Sequence, residues 1–571
     1  MPQLNELNTS RDMISEFGGY NHNLRIGSNE FYDMQNMSSA LYPVLSPRQQ
    51  RGKVRQFTKP NGVFAHEKLC WVDGTAFYYD GFAVSGLVLA DNAKTFIGMG
   101  AYILIWPDKV YYNTKDGTFG SLDASKTTSG TVTITLCKND GTAYTSYTAS
   151  ATASANPADG QLWIDTSDTP HVLKQYSSVY GTWTSIPTTY VKIANTGIGA
   201  DFAEYDGVSI SGIENDALNG DFVLCGVGKD YIIVTAIIDA VATQAKAVTV
   251  ERKIPDMDYL TESENRVWGC SNANHEIYAC KLGDPKNWNC FMGISTDSYA
   301  MTVGSSGDFT GCCTHLGYVL FFKEDVIHKI YGNKPANFQL TNTNCRGVAK
   351  GSEKSLVIVN ETLYYKSQHD VCAYNASLPA GISEALGDVK YHNAVAGSYG
   401  AKYYISMLDA NDNAVLFVYD EHRGLWHRED GTRATYFAAY GTELYYVNSS
   451  DKWLYSVNGD ISAYADSAAI ELPVSWSAET GDIGLEMPDR KYISKLQFRL
   501  DVPDKSIVRI ELQYDRDGVW VEKYRINATR QRSFTVPIIP RRCDNMRIRI
   551  SGVGECSIYS LTKTIEQGSD M

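Results

Sequence analysis

The sequence predicts an all-β protein: a β-propeller of about seven blades, an inserted β domain and a C-terminal β-sandwich. First, the 571 residues include 38 tyrosines and 47 glycines, a composition that favours strands separated by tight turns. Second, the sequence has no long stripe of apolar residues at helical spacing. Third, pairs of short apolar runs joined by polar turns recur about every 40 to 50 residues, which is typical of propeller blades.

Residues 1–59 are predicted to form an extended N-terminal arm. Glycine and proline interrupt this segment, and it sustains neither helical nor strand periodicity. It nevertheless carries many large apolar side chains, too many for a disordered tail. We therefore expect the arm to dock on the body of its own chain and on neighbouring subunits. An ordinary irregular lead-in is the alternative interpretation.

A motif in the arm resembles the opening of tailed-bacteriophage virion proteins. It consists of a Gly-Gly leader at 18–21, an acidic Glu-x-x-Asp-x-x-Asn step at 30–36 and a Tyr-Pro…Arg exit at 42–48. The family that it resembles is the β-propeller packaged-DNA stabilisation or tail-hub family of the head–tail junction. The motif match covers roughly the first 55 residues, and the rest matches by architecture alone. The resemblance implies a ring of subunits in which these arm residues form the subunit interface: Gly19, Tyr20, Arg25, Glu30, Tyr32, Asn36, Tyr42, Pro43, Arg48 and Arg51.

The propeller is predicted from residues 60–123 and 255–465. Residues 68–81 show the repeating pattern, an apolar run, an Asp-Gly turn, a second apolar run and a second Asp-Gly. One four-stranded sheet cannot bury both faces, whereas sheets stacked around an axis can. A series of β-sandwiches is the alternative. The pattern returns at 101–114, 266–280, 318–331, 363–374, 403–419 and 444–457.

Residues 124–254 interrupt the repeat and are predicted to form an inserted β domain that faces outward from a blade loop. The segment opens with a strand of period two at 130–137. Insertions in such loops are tolerated because the loop ends already lie close together. The segment resembles small β modules of phage tail and fibre proteins, and this resemblance implies a host glycan as a second kind of partner.

Residues 466–571 are predicted to form a β-sandwich, because seven strand candidates fall within about 100 residues. Residues 488–550 hold 15 Lys and Arg against 8 Asp and Glu, whereas the whole chain carries a net charge of −14. This asymmetry favours subunits that stack basic on acidic faces, or a basic end near DNA. We expect Arg541 and Arg542 to face another ring or packaged DNA.

The sequence contains no nucleotide-binding, zinc-binding or nucleophile motif, so we expect no cofactor, no metal site and no catalytic residues. It has no apolar run near 20 residues, which predicts that no segment spans a membrane. The N-terminus lacks the basic and apolar regions of a signal peptide, so we expect synthesis in the host cytoplasm.

These observations predict a non-enzymatic structural component of a phage virion, located in the neck or tail. The expected protein is a ring-forming propeller that seals or stabilises packaged DNA and docks tail parts. Its expected partners are further copies of itself, portal, connector or tail proteins, and packaged DNA at the channel. One alternative is a tail-tip or baseplate protein that binds a glycan through residues 124–254. The other is a glycan-cleaving propeller enzyme.

Overall fold

The computed structural model describes residues 9–461, 464, 469–487 and 490–567, and in this part of the chain nearly all regular structure is β. No helix among these residues is long and apolar enough to cross a membrane. The chain divides into two compact units, residues 1–94, 322–327 and 343–571 in the first and residues 95–321 and 328–342 in the second. The helical elements of the described residues are short 3₁₀ turns at Asp216–Leu218, Pro335–Asn337, Glu353–Ser355 and Glu384–Leu386.

The leader, defined here as residues 9–59, pairs and packs within the first unit and does not form a separate arm. It contains β1 (Thr9–Ile14), β2 (Phe31–Gln35), β3 (Met37–Ser38), β4 (Ser46–Pro47) and β5 (Gly52–Gln56). β1 pairs with Ser557–Gln567 and β2 with Ser475–Thr480, both in the C-terminal domain. Pairing gives backbone groups of the leader hydrogen-bond partners that a free arm would find only in water.

Blades 1 and 2 are antiparallel four-stranded sheets whose strands follow sequence order. Each alternates a buried run with an Asp-containing turn, as in Leu69–Val72 before Asp73-Gly74, so the predicted hairpin pattern gives the observed strands. Blade 1 consists of β6 (Pro60–His66), β7 (Lys68–Asp73), β8 (Ala76–Tyr79) and β9 (Phe82–Val88), and blade 2 of β10 (Thr95–Met99), β11 (Tyr102–Trp106), β12 (Val110–Asn113) and β13 (Phe119–Ser121).

The inserted domain follows blade 2 and has a hydrophobic core of its own, centred on the alternating side chains of Val132, Ile134 and Leu136. An eight-stranded sheet has the order β14-β25-β21-β22-β23-β20-β15-β24, and a four-stranded sheet has the order β16-β17-β18-β19. The strands are β14 (Ala124–Thr127), β15 (Val132–Cys137), β16 (Thr148–Ser150), β17 (Leu162–Asp165), β18 (Val172–Ser177), β19 (Thr182–Ser185), β20 (Tyr190–Ala194), β21 (Gly207–Ser211), β22 (Gly220–Gly228), β23 (Tyr231–Thr235), β24 (Ala242–Gln244) and β25 (Thr249–Arg252).

Blades 3 to 6 repeat the four-stranded pattern after the inserted domain. Blade 3 consists of β26 (Tyr259–Ser263), β27 (Arg266–Ser271), β28 (Glu276–Ala279) and β29 (Tyr299–Thr302), and blade 4 of β30 (Gly311–His315), β31 (Tyr318–Phe322), β32 (Val326–Tyr331) and β33 (Gln339–Asn344). Blade 5 consists of β34 (Val357–Val359), β35 (Thr362–Lys366), β36 (Val371–Tyr374) and β37 (Ala380–Gly381), and blade 6 of β38 (His392–Tyr399), β39 (Lys402–Leu408), β40 (Ala414–Asp420) and β41 (Leu425–Arg428).

Blade 7 is completed by the leader. Its own strands are β42 (Ala434–Tyr440), β43 (Glu443–Asn448) and β44 (Trp453–Ser456), and β5 pairs antiparallel with β44. The short β45 (Ala469–Ile470) pairs with the other edge of β5. The seven blades formed by the described residues confirm the predicted fold class, with the last blade held to the start of the chain by backbone hydrogen bonds.

The C-terminal domain is built on one long hairpin within a single seven-stranded sheet that also includes β1 and β2. Its strands are β46 (Ser475–Thr480), β47 (Lys491–Tyr514), β48 (Val521–Val536), β49 (Met546–Val553) and β50 (Ser557–Gln567). The first part of β47 pairs with β50 and the last part with β49, across irregular register between Leu500 and Ile507. Pro503 lies in this irregular segment, where its missing N–H is tolerated.

The main core of the first unit joins three parts of the chain. Leader side chains such as Phe17, Phe31 and Met34 share one hydrophobic cluster with Phe417 of blade 6 and with Phe498 of the C-terminal domain. The leader is therefore a packed layer between blades and sandwich, which explains its high content of large apolar residues.

Candidate functional sites

Two leader arginines are buried in a cluster of three carboxylates. Arg48 donates to both carboxylate oxygens of Glu471, at 2.7 and 3.0 Å. Arg51 donates to Glu429 at 2.5 Å and to Asp430 at 2.8 Å. Arg48 and Arg51 are only 8% and 3% exposed. Because buried charges are stable only when paired, this cluster fixes the leader to the loop between blades 6 and 7 and to the residue that follows β45.

The arginines also control the ionisation of the carboxylates. Burial raises the pKa of Asp430, but the charges of Arg51 and Arg48 and the hydrogen bonds from Arg51 and Thr432 together outweigh it and lower that pKa. Burial likewise raises the pKa of Glu471, whereas the hydrogen bonds and the charge of Arg48 lower it, and the overall effect is a lowered pKa. Both carboxylates therefore stay ionised and bound to the leader at neutral pH.

Asn36 ties the leader to two other elements at once. It adopts a positive φ of 54°, which asparagine tolerates better than most residues. Its backbone N–H donates to the Glu429 carbonyl at 2.7 Å, and its side-chain amide donates to the Ser475 carbonyl at 2.8 Å. Its side-chain oxygen accepts from Arg48 at 2.8 Å. Asn36, the last residue of the acidic Glu-x-x-Asp-x-x-Asn motif, therefore stabilises the fold of its own chain.

Gly19 and Tyr20 dock against blade 6. The Tyr20 N–H donates to the Trp426 carbonyl at 2.6 Å, and the Tyr20 ring lies 5.5 Å from that of Phe417. A Cβ atom on Gly19 would collide with the same Trp426 carbonyl, so a side chain there would displace the leader. The glycine of the motif therefore permits the close approach of two backbones.

The loop before β2 presents part of the leader to solvent. Glu30 closes this loop by accepting from the Gly27 N–H at 2.6 Å and from the Asn21 amide at 3.0 Å. Arg25 is exposed at its tip, beside Leu24, which is 79% exposed. A defined loop that exposes a leucine and an arginine is a candidate contact with another chain.

Three further predicted residues lie near the surface of the leader. Tyr32 stacks on His22 at 4.3 Å and lies under the Arg547 guanidinium at 4.5 Å. Tyr42 is half-buried and donates to Glu16, and Pro43 is exposed. Tyr32 is thus engaged with the C-terminal domain, whereas Tyr42 and Pro43 leave surface available to a partner.

The two C-terminal arginines lie on the surface beyond β48. Arg541 is exposed, and its guanidinium stacks over the Tyr514 ring at 4.9 Å with Asp517 at 3.9 Å. Arg542 is exposed as well. Both positions suit contact with an anionic partner, and this role stays a prediction.

The structure therefore separates the ten predicted interface residues into five that are buried and five that are half-buried or exposed. The side chains of Tyr20, Asn36, Arg48 and Arg51 are buried against their own chain, and Gly19 is buried with them, so the structure gives these residues an intramolecular role. This changes the prediction for them, because surface already covered within one subunit is not available to a second. Contact with other subunits stays a prediction for the exposed Arg25 and Pro43 and for the half-buried Glu30, Tyr32 and Tyr42.

A rigid apolar tip in blade 3 was not predicted from the sequence. Residues 291–294, here called the apolar tip, expose Phe291 by 58%, Met292 by 45% and Ile294 by 50%. The buried carboxylate of Asp297 accepts from the backbone N–H groups of all three turn residues after Phe291, at 2.6, 2.6 and 3.1 Å. The run Phe-Met-Gly-Ile followed by an aspartate three residues on is the signal that identifies it in hindsight.

The apolar tip is also fixed from below. Arg266, 3% exposed, donates to the carbonyls of Cys280, Asp297 and Ser295 at 2.8, 2.6 and 2.9 Å. The loop is therefore held at both ends while its apolar side chains remain in water. Exposed apolar groups that are held rigidly are typical of interaction surfaces.

A cavity of about 650 Å³ lies in the second unit, between the inserted domain and blades 2 and 3. Tyr102 and Tyr111 of blade 2 line one side, with ring centroids 5.7 Å apart and planes at 86°. Asp206 and Arg252 of the inserted domain form a buried ion pair on another side. Within the described residues no group of three or more His, Cys, Asp or Glu side chains could hold a metal ion.

No protein-family model matches the chain, and no curated protein matches it. Among solved structures it is similar to an exo-beta-1,3-galactanase from Phanerochaete chrysosporium, at 7% identity over 53% of this chain and 94% of that chain, with a TM-score of 0.22. It is similar to BamB from Moraxella catarrhalis at 13% identity, over 52% and 81% of the two chains, with a TM-score of 0.25. It is similar to Raptor from Chaetomium thermophilum at 10% identity, over 71% and 29%, with a TM-score of 0.28. At these scores the similarities bear on no functional assignment.

Proposed function

We propose that this chain is a non-enzymatic structural component of a tailed-phage virion. In this proposal it forms a ring at the head–tail junction or tail hub, seals or stabilises packaged DNA and docks portal or tail proteins. The leader motif supports the phage assignment by resemblance. The observation that carries the assembly role is the apolar tip, because three large apolar side chains are presented to water on a loop that is hydrogen-bonded into a fixed shape.

The leader determines how this proposal can be tested. Deletion of residues 1–50 would remove β1 and β2 from the C-terminal sheet together with the arginine that binds Glu471. Such a deletion would unfold part of the first unit, so loss of a ring would not identify an interface. Substitutions of exposed side chains avoid this problem, since surface changes usually alter stability by only about 0.5 kcal/mol.

The test compares wild-type protein with the triple variant Phe291→Ser, Met292→Ser and Ile294→Ser by light scattering and electron microscopy over a concentration series. Full burial of one such side chain contributes about 1.5–3 kcal/mol. We expect wild-type rings, and an at least about 10²-fold higher concentration for assembly of the triple variant. A matched control replaces Val179 and Tyr180, which are also highly exposed, by serine.

Two outcomes would contradict the proposal. The first is a wild-type protein that stays monomeric throughout the series. The second is a triple variant that assembles as the wild type does while its thermal unfolding is unchanged.

A further inference from the structure

The cavity of the second unit has the size of a small-molecule site. Its volume of about 650 Å³ lies within the range of about 300–1,000 Å³ that ligand pockets occupy. Three separate parts of the chain line it: blade 2, the inserted domain and the loop of blade 3 that contains Asp284. Sites of this kind form preferentially where two domains meet.

The aromatic side of the cavity suits an amphipathic ring. The rings of Tyr102 and Tyr111, which both line the cavity, stand at 86° to each other. The Lys286 ammonium lies 4.0 Å from the centre of the Tyr111 ring and fixes that ring by a cation–π contact. Tyrosine binds ligands that have both apolar C–H faces and hydroxyl groups, because it offers an apolar face and a polar tip.

The polar side is rich in hydrogen-bond acceptors. Arg252 binds Asp206 and lies over the Phe202 ring at 6.0 Å, so this buried pair is neutral as a unit. The Asp284 carboxyl accepts the Lys286 N–H at 3.1 Å. Burial raises the pKa of Asp284, and the nearby charge of Asp206 acts in the same direction. A further negative charge in this place is therefore unfavourable, whereas hydroxyl donors are favourable.

Two further carboxylates line the cavity. Asp123 and Asp201 line it, with lysine partners at 3.9 Å and 2.9 Å respectively. Each of them is therefore paired with a cation, as Asp206 is with Arg252, and Asp284 is the fourth carboxyl group of the lining. An anionic ligand would meet the carboxyl group of Asp284 at close range.

We propose that this cavity binds a saccharide that is neutral or carries an amino group. The tyrosine rings pack against the C–H face of a sugar ring, and the carboxylates accept its hydroxyl or ammonium hydrogens. A further carboxylate or phosphate beside Asp284 and Asp206 is unfavourable, which excludes uronic acids and sugar phosphates. The inference is independent of ring assembly, since a monomer can bind sugar and a ring can form with an empty cavity.

The test is an array of maltohexaose, cellohexaose, chitohexaose, chitosan hexamer and hexagalacturonate, probed with the full chain. We expect binding to at least one of the first four and none to hexagalacturonate. Tyr111→Ala and Asp284→Asn should each weaken binding at least tenfold, and Tyr111→Phe, which keeps the ring, should bind within threefold of wild type. Tyr180→Ala and Asp216→Asn are matched controls on the exposed surface of the inserted domain.

Absence of binding to all five oligosaccharides would overturn the proposal, as would a preference for hexagalacturonate. So would binding that both cavity variants leave unchanged. Thermal unfolding of each variant distinguishes a lost contact from a lost fold. If Tyr111→Ala is destabilised, the binding measured for Asp284→Asn decides whether the cavity is the binding site.

Discussion

Replacing Arg51 by methionine should release the start of the propeller from its last blade. Methionine retains much of the apolar stem and removes only the guanidinium. Glu429, whose side chain is 6% exposed, then loses its 2.5 Å partner, and its nearest remaining cation is Arg48 at 3.9 Å. Arg48 is already bound to Glu471 and Asn36, so it does not compensate. Breaking a buried ion pair from one side costs about 3–5 kcal/mol.

The local consequence can be measured by hydrogen exchange at the amides of β5 and β44. These strands are hydrogen-bonded to each other from Gln56 and Trp453 to Gly52 and Ser456. A loss of 3–5 kcal/mol corresponds to exchange that is faster by about 10² to 10⁴-fold, because each 1.4 kcal/mol changes an equilibrium tenfold. Arg25→Met, at an exposed arginine of the same leader, is the control and should leave exchange nearly unchanged.

The double variant Arg51→Met with Glu429→Met separates charge from packing. It removes both members of the pair, so the cost of an unpaired buried carboxylate disappears and much of the protection should return. The reasoning fails if Arg51→Met loses less than about 1 kcal/mol of protection. It also fails if the double variant exchanges as fast as the single one.

Three further predictions concern other parts of the first unit. Burial lowers the pKa of His427 to about 4 from 6.5. The unfolded chain therefore binds the extra proton first, so the stability falls as the pH drops below 6.5. We expect urea unfolding to show a loss of about 2 kcal/mol between pH 7 and 5, and this loss should be absent from His427→Phe. Gly19→Ala should cost about 1–3 kcal/mol in the same assay, through the collision with a blade 6 carbonyl, and a neutral result would show that the leader shifts freely. If Arg541 and Arg542 bind DNA phosphates, their joint change to alanine should reduce the slope of log affinity against log salt by about two, whereas Arg433→Ala, at another exposed arginine, should not.

The hairpins of the propeller could be predicted because their information is local. The run before Asp73-Gly74 and the run after it form adjacent strands of one sheet, and the turn residues between them specify the pairing. The four-stranded blade then follows from the regular repetition of such pairs. Features that depend on sequence spacing alone could therefore be predicted from the sequence.

The pairing of the leader could not be predicted, since its partners are remote in sequence. Thr9 pairs with Glu566 and Gly52 with Ser456, and nothing in the spacing of either pair indicates contact. A leader rich in apolar and charged groups is compatible with docking on a second subunit or on its own body, because the chemistry of the contact is the same. The pairing of β1 and β2 within their own chain and the burial of Arg48 and Arg51 distinguish the two.

The cavity and the apolar tip share one loop, between β28 and β29, and Asn287 in that loop offers a final test of how they are held. Asn287 is fully buried; its amide donates to the Tyr205 carbonyl at 2.6 Å, and its oxygen accepts the Gly207 N–H at 3.1 Å. Asn287→Leu would leave both backbone groups of the inserted domain without partners, at about 1–3 kcal/mol each.

We therefore expect faster hydrogen exchange across residues 205–211 in Asn287→Leu, together with weaker saccharide binding, because Asp284 lies three residues away in the same loop. The apolar tip should keep its shape, since Asp297 and Arg266 hold it by separate hydrogen bonds. Ring assembly should consequently survive a change that weakens the cavity. If assembly and saccharide binding are lost together, the loop acts as one unit, and the separation of the two surfaces argued above is wrong.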